Sequence, residues 1–299
     1  MRWNPVLRVG MAVAAFALVA TACGEQEPLG GGQAPEPEVA QDVQFEAGTT
    51  MAELSEAGAI TIGTKFDQPL FGLRGLDGDM QGFDVEIGKI VAAGLGIAPG
   101  AITWVEAPSA QREDLIERGD DVDMVVATYT INDERRQRVS FAGPYYQAGQ
   151  TLMVRSDNQE ITGPESLRAS GARVCSVTGS TPSENIREFI EESQLVLFAA
   201  YSQCRDALRT NQVDVVTTDN VILLGYVSQS DGAFKLVGDT FTEEPYGIGI
   251  PKGDVAFCTY INDTLTAAAG SGAYADAWEA TAGTVAEQTP ELPALDPCG

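Results

Sequence analysis

Residues 59–95 read AITIGTKFDQPLFGLRGLDGDMQGFDVEIGKIVAAGL, and this stretch sets the fold class. Its first six residues have the β-branched character of a strand, Asp77-Gly78 marks a turn, and 83–95 carry apolar side chains at helical spacing. The same alternation recurs down the chain. Strands are expected at 101–106, 122–128, 172–177, 195–199, 213–218, 234–238 and 247–251. Helices are expected between them at 109–119, 182–193, 202–211 and 220–229, and a closing helical pair at 254–270 and 272–283. Strand–helix–strand repetition argues for α/β units on mostly parallel sheets. Because the series runs once before about Thr151 and again after Val154, two α/β lobes joined by extended segments are implied. A length of 299 residues suits two such units.

Composition narrows the function. Hydrophobic residues make up 44% and charged residues 20%, the balance of a globular protein. A formal charge of -25 argues against nucleic acid or anionic lipid headgroups as partners, since both need clustered Lys and Arg. An anionic ligand would require the protein to reverse this field locally, so basic residues near a cleft become informative.

The first 22 residues read as an export signal: Arg2 and Arg8 supply positive charge, Val9 to Val19 an apolar core, and Ala20-Thr21-Ala22 a small-residue cleavage site. Cleavage before Cys23 resembles a bacterial lipobox and implies lipidation of that cysteine. Residues 23–44, rich in Gly, Pro and Glu, are expected to be a flexible tether from the membrane. Four further cysteines, Cys175, Cys204, Cys258 and Cys298, favour two disulfides in an exported chain. No spacing suggests zinc, and no metal or cofactor is expected.

Gly82-Phe83-Asp84-Val85-Glu86-Ile87 resembles the signature of the family 3 extracytoplasmic solute-binding proteins, and the similarity extends in order from about Gly58 to Ala282. A second segment, Thr128-Tyr129-Thr130 with Arg135 and the trailing Phe141-Ala142-Gly143-Pro144-Tyr145, resembles that family's α-carboxylate clamp. A planar guanidinium grips a carboxylate through two parallel bonds, which Lys cannot reproduce. The resemblance further implies that Ser180 and Thr181 form the opposite jaw, that Asp219 receives the α-ammonium, and that Lys65, Phe66 and Arg112 read the ligand side chain. The two cations favour a carboxylate there.

The resemblance also implies the periplasmic-binding-protein type II fold, with two α/β lobes joined by two hinge strands. Lobe 1 is expected at 45–151 plus 248–299, and lobe 2 at 152–247. Of three possible disulfide pairings, Cys175 with Cys204 and Cys258 with Cys298 keeps each bond within one lobe. The ligand expected is glutamate, with aspartate and glutamine next. The expected partner is an ABC permease or a membrane sensor, and the expected form a monomer anchored by lipid on the extracytoplasmic face of the cell membrane. Catalysis, such as that of a dehydratase on this fold, finds no support: histidine is absent, and no Ser-centred nucleophile motif occurs.

Overall fold

The computed structural model describes residue 1 and residues 34–299, apart from 120 and 287. The expected export signal, Cys23 and the first part of the tether therefore lie outside the described residues. Two five-stranded sheets organise the chain. The first runs in the order Ile102–Glu106, Ile60–Thr64, Met124–Val125, Glu244–Ile250 and Ser140–Ala148. Its first three strands are parallel and its last two antiparallel to their neighbours. The second repeats the plan with Leu195–Phe198, Val174–Val177, Val215–Asp219, Gln150–Arg155 and Phe234–Val237.

The eight strands read from the sequence are all present, most with trimmed ends, while those at Val215–Asp219 and Glu244–Ile250 reach past the bounds read at one end. The strands Ser140–Ala148 and Gln150–Arg155 are additional, and both pair antiparallel. They carry the chain from one sheet into the other. Gly149 lies between them, and a Cβ there would stand 2.8 Å from the Thr242 carbonyl of the returning segment. Glycine lets the two crossovers touch. The Gln150 N–H donates to Thr242 Oγ1 at 3.0 Å, and the Phe241 N–H to the Gln150 carbonyl at 3.0 Å.

Helix Phe83–Gly94 buries Phe83, Ile87 and Val91 against the first sheet, as its spacing requires. An aromatic cluster fills that core: Phe71 and Phe83 meet edge-on, and Tyr146 stacks on Trp278 at 5.0 Å. The stretch 182–193, read as one helix, is instead a short helix Thr181–Asn185 followed by 3-10 turns at Ile186–Glu188 and Glu192–Gln194. Ile186 and Ile190 are both buried in this arrangement, so the apolar spacing is satisfied without a continuous helix.

Part of the stretch expected to be a tether packs on the domain. Residues 34–45 lie along the first unit, where the Ala40 N–H donates to the Ala93 carbonyl at 2.9 Å and Phe45 meets the Tyr260 ring edge-on. Both disulfides have the preferred pairing, Cys175–Cys204 and Cys258–Cys298. The second fastens a C-terminal strap. In it the Asp296 N–H donates to the Gly143 carbonyl at 2.7 Å, and the Asp296 carboxylate pairs with Arg136. Among the described residues no helix is long and apolar enough to cross a membrane.

Candidate functional site

Residues leaving the carboxyl ends of four strands converge between the sheets: Lys65 after Ile60–Thr64, Thr128 and Thr130 after Met124–Val125, Ser180 and Thr181 after Val174–Val177, and Asp219 at the end of Val215–Asp219. Open α/β sheets place ligands at such ends. Thr128 sits in the left-handed region at φ 45°, an unusual conformation for a β-branched residue. Buried Asp84 holds it there by accepting the Thr128 N–H at 2.7 Å and the Tyr145 hydroxyl at 2.6 Å. The resemblance motif at 82–87 therefore has a physical role: its carboxylate fixes the turn that carries Thr128 and Thr130.

Three cations are buried here. Lys65 Nζ donates to Ser109 Oγ at 2.9 Å. Arg112 donates through Nη1 to the carbonyls of Ala127 and Thr128 at 3.1 and 3.2 Å, while its Nε has no partner. Arg135 donates to the Thr130 carbonyl at 2.6 Å and to the Gly179 carbonyl of the second unit at 3.2 Å. The two guanidiniums face the Tyr129 ring at 4.2 and 5.1 Å. Arg135 also pairs with Glu113 at 3.3 Å, whereas among the described residues neither Lys65 nor Arg112 has a carboxylate within salt-bridge distance. Burial, then the charge of Arg112, pushes the Lys65 ammonium well below its usual range and Arg135 down to about 10.

Asp219 supplies the opposite charge. Its Oδ2 accepts the Tyr246 hydroxyl at 2.6 Å, and its Oδ1 is buried without a partner. Burial, then the nearby Glu244 carboxylate, pushes Asp219 up to about 8. An acceptor short of a donor and cations short of acids thus share one cleft.

Other expected contacts are differently disposed. Ser180 is an N-cap: its Oγ donates to the Val177 carbonyl at 2.8 Å and accepts the Ser183 N–H at 3.2 Å. Thr181 donates its hydroxyl to Glu244 at 2.6 Å and stands 3.3 Å from the Thr130 hydroxyl across the cleft. Phe66 lies outside the cleft cavities, with Arg74 over its ring at 5.4 Å. Successive residues of an extended chain point to opposite sides, so an inward Lys65 sends Phe66 outward.

Glu244 borders the cleft through Thr181 and carries no signal in the sequence. It is buried, and its carboxylate accepts from Thr181, Asn185 at 3.0 Å and Thr242 at 3.1 Å. No periodicity distinguishes it from the exposed acid beside it, Glu243. Gln68, buried and accepting the Thr128 hydroxyl at 3.0 Å, was equally silent.

The two units touch across the cleft. Only ≈ 10 Å³ remains among Arg112, Thr128, Thr130, Thr181, Thr218 and Asp219, so a solute enters only if the units part. Outside Arg135 a groove of ≈ 530 Å³ opens to solvent, bordered by Glu113, Glu134 and Glu184.

Residues 60–280 match the family described as bacterial extracellular solute-binding proteins, family 3. The glutamate-binding protein GluB of Corynebacterium efficiens is 43% identical over 229 residues, 74% of this chain and 77% of that protein. The ABC transporter glutamine-binding protein GlnH of Bacillus subtilis is 37% identical over 226 residues, 75% and 81% of the two chains. Among solved structures, an ancestral arginine-binding protein bound to glutamine superposes with a TM-score of 0.69 at 31% identity, covering 74% of this chain and 96% of that one.

Proposed function

The chain belongs to the bacterial extracellular solute-binding proteins of family 3, and from that premise we propose that it closes two lobes around an amino acid, glutamate before aspartate and glutamine. It then delivers the ligand to an ABC permease. It works as a lipid-anchored binder rather than an enzyme.

The observation that carries this reading is the set of unmatched charges: Lys65 and Arg112 buried without a carboxylate, and Asp219 with an orphan oxygen. A buried charge lacking a partner is costly, and a dicarboxylic amino acid supplies the missing groups of both signs. Arg135, with the backbone around Thr130 and Thr181, holds the α-carboxylate. Asp219 takes the α-ammonium, and Lys65 with Arg112 faces the side-chain carboxylate. The names of the similar glutamate- and glutamine-binding proteins support the same ligand class.

In this proposal the lobes are 45–151 plus 248–299 and 152–247, hinged near Gln150 to Met153 and Tyr246 to Ile248. The test is thermal unfolding against a panel of amino acids, because a ligand at 100 times its Kd adds about 2.7 kcal/mol of stability. Stabilisation by glutamate, aspartate or their amides supports the reading. Absence of any shift across the panel rejects it.

A further inference from the structure

Asp67 joins the two sheet units on the Lys65 side of the cleft, away from the crossovers. Its carboxylate accepts the Ser202 N–H at 2.9 Å and the Tyr226 hydroxyl at 3.3 Å, and its carbonyl accepts the same hydroxyl at 2.7 Å. Ser202 is the second residue of helix Tyr201–Arg209, and Tyr226 lies on helix Asn220–Ser228; both helices belong to the second unit. Contact is closest at Gly225, where a Cβ would stand 2.5 Å from the Pro69 carbonyl. On this side of the cleft a short strand, Asp67–Gln68, carries an anion to a helix start and to a buried phenol of the second unit.

We propose that Asp67 is a closure latch: a positioning residue that leaves the amino acid untouched and holds helices 201–209 and 220–228 against the first lobe once the lobes have shut. The proposal rests on the binding reading above. Its chemistry suits a reversible contact, because every group it buries regains water when the seam opens. The Ser202 N–H lies in the first helical turn and has no intrahelical partner, so its protection reports the Asp67 bond alone. A latch acts on the lifetime of the closed complex, since closure follows capture.

Hydrogen exchange on the full chain and dissociation kinetics of Asp67→Ala and Tyr226→Phe test it. In the ligand-free wild type, the Ser202 amide should exchange at least tenfold faster than that of Leu208 in the same helix. Glutamate should slow it, and Asp67→Ala should remove that slowing. Both variants should release glutamate about tenfold faster or more, and the double variant less than the product of the two. A Ser202 amide as protected as Leu208 without ligand makes the bond a fixed part of the fold and overturns the latch. Unchanged release rates overturn it as well. Wild-type calorimetry with no amino acid bound would instead reject the binding reading, and the ligand-free Ser202 rate would still judge the latch.

Discussion

At residue 219 one carboxyl sets a pH dependence whose sign can be worked out. Its folded value of about 8 stands above an unfolded value near 4. Between those limits the native protein holds a proton that the unfolded chain has released. The stability linked to this group therefore falls as pH rises through that window. An arriving α-ammonium displaces the proton. Glutamate binding at pH 7 should release protons, and affinity should fall as pH drops from about 8 to 6. Calorimetry in two buffers of different ionisation enthalpy measures this directly, and equal heats in both would refute it. Arg135→Ala should weaken binding of every amino acid by about 100-fold or more, because it strips a buried anion of its partner. Lys65→Met should cut glutamate affinity about tenfold or more while glutamine loses less. Competition between the two ligands reads that difference. Arg135, Lys65 and Asp219 were legible as candidates because they stood inside quotable motifs. Glu244 was hidden because burial of an acid depends on what folds over it.

Among the elements, helix 220–228 stands where the sequence placed it, one residue shorter, whereas the C-terminal strap had no reading in the sequence. Helix 220–228 is apolar on nearly every side, and its burial between both units explains why: Val221 packs into the first core, and Ile222, Leu223 and Tyr226 into the second. Gly225→Ala should drive a methyl into the Pro69 carbonyl and weaken ligand binding by about 1 to 3 kcal/mol. Circular dichroism should show both units still folded. The strap has almost no regular structure and left no periodic signal, yet Cys298 and Asp296 fix it beside Arg136, the neighbour of the clamp arginine. Replacing Cys258 and Cys298 by Ser should destabilise the first unit by about 2 to 4 kcal/mol, seen as a lower melting temperature.

For the molecule as a whole, a charge of -25 meets a proposed anionic ligand. That net charge should repel glutamate on approach, so the association rate should rise as salt shortens the Debye length from about 30 Å to 10 Å. Stopped-flow fluorescence across that range tests it. A falling rate would mean that Lys65, Arg112 and Arg135 dominate the outer field. By itself the sequence determined the two α/β units and the strands of both sheets, and it put Arg135 and Asp219 forward as candidates for the site. It could do so because strand and helix periods and charged motif residues are local properties of a chain. Only the tertiary structure decided that Ser140–Ala148 and Gln150–Arg155 cross between sheets, that Phe66 turns away from the cleft, that Thr181 answers to Glu244, and that Asp67 spans the lobes. Each depends on a partner far along the chain, and no local pattern encodes a meeting between such distant residues.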